Sequence, residues 1–293
     1  MEANLQPGSR EERQRLAVRV IEPRETVEGA GVHLLRSIGG RDLDYLDPFL
    51  LLDNFVGGDP SAFEAGFPEH PHKGIETVTY MLDGEMRHRD DQGNEGVVGP
   101  GAVQWMTAGR GIIHDELPRP RDGRIDGLQL WVNLPARDKR VPPRYQTIPA
   151  DEIPVHEDRE GVVTRVVAGR AGEVRGLIAG TATTPMYLDV TVPPHTAYRQ
   201  PVPAGQTAFA YTLSGTGCFA GSEEWREVEA RRLVPFADGD VVDSRAAHEP
   251  FRFLLIAGTP LHEPVARYGP FVMNTRDEIL ETIRDLQNGT FGR

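Results

Sequence analysis

A chain of 293 residues with 32 glycines, 24 prolines and 39% hydrophobic residues can bury the cores of two ordinary domains, and it favours many short strands over long helices. Its formal charge of −12 at pH 7 excludes a basic field that would hold nucleic acid directly. The single cysteine, Cys218, excludes an internal disulfide and a thiolate metal cluster, fits a reducing compartment, and reads as a small buried apolar residue.

Residues 1–16 are charged and lack the apolar stretch of a signal peptide, so a flexible N-terminus is expected. No segment reaches the length of a transmembrane helix, and the expectation is a cytoplasmic chain without membrane contact. From 17 to 135 short apolar runs such as "LAVRVI", "ETVTYML" and "LQLWVNL" alternate with Gly, Pro and Asp turns. Period-2 patterning at this spacing predicts an antiparallel sandwich or barrel. Residues 136–160 are charged and proline-rich with little apolar pattern, which predicts a linker. The strand pattern then resumes over 161–293 as a second copy. "YMLDG" at 80–84 returns as "YTLSG" at 211–215, an offset of 131, and "LQLWVNLP" at 128–135 has its counterpart in "FLLIAGTP" at 253–260. The last element differs: Thr275 and Glu278 stand in capping-box spacing, Ile279, Leu280, Ile283 and Leu286 share one face, and Asn288-Gly289 ends the helix. One short amphipathic helix docked on the barrels is expected.

The chemistry concentrates in "HPHKGIE" at 70–76 and "GRGIIHDE" at 109–116. On a strand, side chains at i and i+2 share a face, so His70 pairs with His72 and His114 with Glu116. Pro71 removes a ladder donor and places the first pair on an edge or at a barrel rim; Gly109 and Gly111 permit a sharp turn or bulge before the second. Facing each other, the pairs offer three imidazole nitrogens and one carboxylate oxygen. That mixed set suits iron, manganese, nickel, copper or zinc with coordination positions left open. The 131-residue offset puts Pro201 and Pro203 where His70 and His72 stand, so the second copy lacks the ligands. His195, His248 and His262 are scattered in the second half, and His33 and His156 read as surface residues. The run "RHRDDQG" at 87–93, with His88, reads as a solvated hairpin end.

Four stretches, "LDPFLLLDNF", "FPEHPHKGIETVTYMLDGEMRHRD", "GVVGPGAVQWMTAGRGIIHDE" and "GPFVMNT", resemble the pirin family of bicupins from about residue 17 to the C-terminus. The resemblance implies an all-β bicupin: two face-to-face antiparallel barrels of jelly-roll type, with a metal, usually iron, only in the first. Its ligands correspond to His70, His72, His114 and Glu116. Glu76 fills the place of the generic cupin glutamate and stands as a hydrogen-bonding neighbour or alternative ligand. Phe55, Phe67, Trp105 and Met106 flank the ligands and could line an aromatic-sized pocket. Many microbial pirins are similar in activity to quercetin 2,3-dioxygenases, which open a flavonol with O₂ and release CO. Other members act as iron-dependent regulators that bind a transcription factor or a metabolic enzyme. The expected cofactor is therefore one divalent transition metal, foremost Fe(II), in a monomer, with Glu116 as catalytic proton acceptor.

Overall fold

The computed structural model describes residues 12–57, 63 and 65–293. Apolar residues at alternate positions between glycine turns form antiparallel strands. In the first half these are β1 (Arg24–Glu28), β2 (Val32–Ile38), β3 (Phe49–Gly57), β4 (Phe67–His72), β5 (Ile75–Asp83), β6 (Glu85–Asp90), β7 (Glu95–Val98), β8 (Val103–Thr107), β9 (Ile112–Arg119), β10 (Ile125–Asn133) and β11 (Arg144–Ile148). The second half carries β12 (Val155–Glu157), β13 (Val163–Ala168), β14 (Arg170–Ala171), β15 (Val174–Arg175), β16 (Met186–Val192), β17 (Ala197–Pro201), β18 (Thr207–Ser214), β19 (Gly217–Ala220), β20 (Trp225–Val228), β21 (Leu233–Pro235), β22 (Val241–Ala246), β23 (Phe251–Gly258), β24 (Ala266–Tyr268) and β25 (Phe271–Met273), followed by α1 (Arg276–Gln287).

The first half pairs a sheet in the order β1-β2-β3-β10-β5-β8-β11 with one in the order β4-β9-β6-β7. The second half repeats this as β12-β13-β16-β23-β18-β21 and β17-β22-β19-β20. The repeat thus extends to the topology, with the second large sheet one strand shorter, and each half is a jelly-roll barrel of two sheets. Leu128 stands opposite both Tyr80 and Asn54, and Leu254 opposite both Tyr211 and Asp189. The repeated tyrosines are therefore true counterparts. "LQLWVNLP" and "FLLIAGTP" are also counterparts, but Leu128 matches Leu254, one residue away from the pairing that the segments suggest. A slip of one residue exchanges the faces of a strand, so only the ladder could settle it.

The two barrels meet through their larger sheets. Val78, Tyr80, Trp105 and Leu130 of the first and Tyr187, Phe209, Tyr211 and Ile256 of the second form one buried cluster, with the Phe49 and Phe209 rings edge-on at 5.1 Å. Each repeated tyrosine crosses the interface. Tyr80 donates to Asp189 at 2.6 Å, and Arg252 clamps the same carboxylate at 2.7 and 2.9 Å. Tyr211 donates to Asn54 at 3.3 Å, beside the Arg231–Asp126 pair at 2.8 Å. These contacts satisfy polar atoms that an apolar interface would otherwise strand, and a bond to a charged partner contributes about 1.5–3 kcal/mol.

Three expectations change at the edges of the barrels. Segment 136–160 is more than a linker: it lends β11 to β8 and β12 to β13, and it buries Ile148 and Ile153 between the barrels. An edge strand needs little apolar character on each face, so periodicity could not show it. The N-terminal residues 12–16 are fixed, and residues 17–21 lie on the second barrel rather than opening the first, through bridges Gln14–Val241, Ala17–Phe236 and Ile21–Leu233. Arg15, 1% exposed, donates to the carbonyls of Pro203 and Gln206 at 2.9 and 2.8 Å. The rest of the expected flexible terminus, 1–11, lies outside the described residues.

In return, α1 packs on the first barrel, not the second. Phe271 bridges Lys73, and Phe271, Met273, Ile279 and Phe291 cluster with Ile113. Its capping box is present, but its buried side is Ile279 and Thr282, while Leu280 and Leu286 are 45% and 37% exposed. Each barrel is therefore closed by a segment from the other end of the chain.

Candidate metal centre

β4 is the edge of its sheet, so the missing N–H of Pro71 leaves no ladder bond broken. The ladder sets His70 opposite His114 and His72 opposite Ile112. Two turns hold these strands in place. The Lys73–Gly74 turn leaves His72, and the turn over 108–111 enters β9, with Gly109 at φ +53° and Gly111 at φ +138°. The Gly74 N–H donates to the Gly109 carbonyl at 2.8 Å, tying one turn to the other.

Three imidazoles converge on one point. His70 Nε2 lies 3.0 Å from His72 Nε2 and 3.0 Å from His114 Nε2, and the donor atoms of all three fall within 4.8 Å. His70 Nδ1–H donates to the Pro68 carbonyl at 2.8 Å, which leaves Nε2 with its lone pair. Burial, reinforced by repulsion from His114 and His70, pushes the His72 pKa far below the usual histidine value; the Pro270 carbonyl opposes it only weakly. Burial also lowers His114, to about 4, against the opposing field of Glu116. Both rings are neutral at pH 7 and ready to donate lone pairs.

This set fits a transition ion. Two nitrogens about 2.1 Å from one ion and at right angles stand about 3.0 Å apart. Three converging imidazoles, two of them buried, could share only stray protons among themselves, whereas a cation satisfies all three. Glu116, two residues beyond His114 on the same face and 4% exposed, is not among the three converging donors. Its two oxygens accept from Gln129 Nε2 at 3.0 and 2.8 Å, and Trp131 Nε1 donates to Gln129 Oε1 at 3.3 Å. The Trp131 ring in turn stands edge-on to His72, with centroids 5.0 Å apart.

A cavity of about 430 Å³ opens on the centre, lined by Leu34, Leu51, Phe55, Phe67, His70, His72, Glu116, Gln129, Trp131 and Arg267 among others. Of the flanking aromatic candidates Phe55 and Phe67 do line it. Trp105 does not: it faces the second barrel. Met106 packs in the cluster of Ile75, Ile112 and Trp131 away from the cavity wall. Glu76 shares the Trp105 side of the sheet, since it stands opposite Thr107 and accepts from Thr107 Oγ1 at 2.8 Å. Parity along β5 and β8 thus removes Glu76 and Trp105 from the centre.

Sequence reasoning missed Gln129 and Trp131. The signal was present in "LQLWVNL", where glutamine occupies an inward position of an otherwise apolar strand. His88 was misplaced: it is 8% exposed, stacks on Tyr145 with centroids 5.4 Å apart, and lies opposite Glu116 in the ladder. Charged neighbours at alternate positions point outward and masked it. Cys218 is half-buried rather than buried, with its thiol pushed up by desolvation. His195 and His248 contact each other with ring centroids at 5.1 Å, and no further group of metal donors occurs among the described residues.

The pirin family model matches residues 31–132, and the model of the pirin C-terminal cupin domain matches residues 187–292. The chain belongs to the pirin family. It is 44% identical to a pirin-like protein of Arabidopsis thaliana, covering 94% of this chain and 89% of that one. Human pirin is 43% identical, over 92% of this chain and 91% of its own. A crystal structure of a quercetin 2,3-dioxygenase from Acinetobacter baumannii superposes with a TM-score of 0.84 at 33% identity, covering 95% of this chain and 99% of that one. The all-β fold is accordingly a bicupin.

Within this pirin the second barrel shows what the same scaffold looks like without the donors. There the ladder sets Tyr198 opposite Ser244 and Gln200 opposite Val242. The match of Tyr80 with Tyr211 carries His88 onto Phe219; His88 faces Glu116 and Phe219 faces Ser244, so Ser244 replaces Glu116. Val242 then replaces His114, and Gln200 and Val202 replace His70 and His72, all four buried. Pro201 and Pro203 are not the counterparts, because β17 connects to β18 by a longer loop than joins β4 to β5. Tyr198 donates to Gln200 at 3.0 Å, and Phe219, Phe251 and Phe253 fill the space beside them.

Proposed function

We propose that the chain is a metal-dependent dioxygenase that opens a flavonol such as quercetin with O₂ and releases CO. The observation that carries this is the convergence of three imidazoles, two of them on the wall of a cavity large enough for an aromatic ligand. His70, His72 and His114 would hold the ion, with Glu116 as fourth ligand. Fe(II) matches such a mixed N/O set, and Mn, Ni, Cu or Zn share the same donors. The bound ion supplies Lewis acidity that lowers the pKa of the flavonol 3-hydroxyl and, when redox-active, a path for electrons to O₂.

The protein's own residues do the rest. Glu116 accepts the hydroxyl proton, and Gln129 fixes its carboxylate for that purpose through two hydrogen bonds. Trp131 orients Gln129 and packs against His72, so one side chain supports both ligand pairs. Phe55, Phe67, Leu34 and Leu51 give the cavity apolar walls for a planar ring system. Arg36 is held by Asp53 at 2.7 and 2.8 Å and by Glu28 at 2.8 Å, which neutralises charge at the mouth.

Aerobic incubation of the iron-loaded protein with quercetin tests the reading. Loss of flavonol absorbance with release of CO is expected, and His70→Ala/His114→Ala should abolish both. No turnover above that double variant would overturn it.

A further inference from the structure

The two turns that carry the histidine strands are held from outside the first barrel. Val272 N–H donates to the Lys73 carbonyl at 3.0 Å, and a Cβ on Gly74 would lie 2.0 Å from the Val272 carbonyl oxygen. Lys139 Nζ bonds the carbonyls of Gly74 and Val272, both at 2.9 Å, and Asn133 Oδ1 at 2.7 Å. On the other turn, Phe291 covers Gly111: a Cβ there would lie 2.9 Å from two ring carbons of Phe291. Arg110 Nε donates to the Gly292 carbonyl at 3.0 Å. Between the turns Lys73, 5% exposed, places its ammonium 5.8 Å from the Phe291 ring centre and 3.7 Å from Asp285. Phe291, 8% exposed, thus lies against Gly111 of one turn and under the Lys73 ammonium of the other.

We infer that Phe291 is a positioning residue for the metal centre, so that the segment following the second barrel latches the ion of the first. The inference rests on the metal reading. Its physical basis is where the contacts fall. They land on residues within two of His72 and within four of His114, at a place where the turns are also joined by the Gly74–Gly109 bond. A residue that only filled space would stabilise the fold without setting the spacing of the imidazoles. The latch sets both.

Co(II) is the probe, because its visible absorption reports coordination and its loss to excess EDTA reports retention. Wild-type protein should take up Co(II) at the three histidines and release it slowly. Phe291→Ala should shift the absorption bands and speed release roughly tenfold or more, the range typical for residues that support metal ligands. Phe291→Leu, which restores bulk over Gly111, should recover the wild-type bands and much of the slow release. Leu280→Ala, exposed on α1, should change neither. Should Phe291→Ala fail to fold, Arg110→Gln removes the bond to Gly292 alone and should still speed release.

Bands and rates identical to wild type in Phe291→Ala, or in Arg110→Gln where that variant stands in, would overturn the latch while leaving the metal reading intact. Faster release that Phe291→Leu does not slow would also overturn it. A wild-type protein that takes up no Co(II) would overturn the metal reading and the latch with it.

Discussion

The two barrels share a strand order and differ at four inward positions. His70, His72, His114 and Glu116 of the first correspond to Gln200, Val202, Val242 and Ser244 of the second. Around the first set lie Gln129, Trp131 and a cavity of about 430 Å³; around the second lie Phe219, Phe251 and Phe253. One barrel therefore keeps a cavity beside its polar side chains, and the other fills its interior with aromatic rings. A buried cluster of imidazoles costs stability unless something satisfies it, whereas a tyrosine and a glutamine bonded to each other need no ligand. Each copy keeps the polar group that it can satisfy.

Exchanging residues between the copies is the sharpest way to test this contrast. His114→Val, which gives the first barrel the residue of the second, should weaken metal retention more than about a hundredfold, beyond the range seen for supporting residues. Elemental analysis after dialysis against chelator would show it, and retained stoichiometric metal would count against the site.

Acid should separate the barrels next. In the metal-free protein His114 is held to about 4 by burial, whereas in the unfolded chain it titrates at about 6.5. Above pH 6.5 both states are neutral there and the group has no effect. As pH falls from 6.5 toward 4 the unfolded state binds a proton that the native state refuses, so stability falls by up to about 1.4 kcal/mol per unit. Urea midpoints across this window should drop for the wild type and drop less for His114→Val. Parallel curves would show that the ring is not buried as described.

Gln129→Leu frees the Glu116 carboxylate while keeping the strand apolar. Metal affinity should fall roughly 10–100-fold with little change in fold, read by titration against a competing chelator. An unchanged affinity would remove Glu116 from the centre and leave the three histidines alone. The smallest effect compares the interface tyrosines. Tyr80→Phe deletes a 2.6 Å bond to a carboxylate, and Tyr211→Phe deletes a 3.3 Å bond to an amide oxygen. A loss of about 1.5–3 kcal/mol is expected for the first and about 0.5–1.5 kcal/mol for the second, by urea unfolding.

Much of this was legible beforehand because strands write their faces into the chain. The spacing of His70, His72 and His114 announced the three imidazoles that converge, Pro71 announced the edge, and Tyr80 with Tyr211 announced the repeat. What stayed hidden depended on long-range pairing. Glu76 and Trp105 lie close to the ligands in sequence but on the opposite face of their sheet, and only the β5–β8 register reveals it. The true counterparts of the histidines needed the β17–β22 ladder, because a loop of different length defeats a fixed offset. His88 sits among charged residues that conceal its inward turn. The exchange of terminal segments between barrels has no local signature at all, since contacts such as Ile21–Leu233 and Lys73–Phe271 join distant parts of the chain.

Anomalous X-ray scattering at the absorption edge of the loaded metal would test the central claim most directly. One peak per chain is predicted, about 2.1 Å from Nε2 of His70, His72 and His114, with nothing beside Gln200 and Ser244. A peak elsewhere, or none at the three histidines in a metal-loaded crystal, would contradict it.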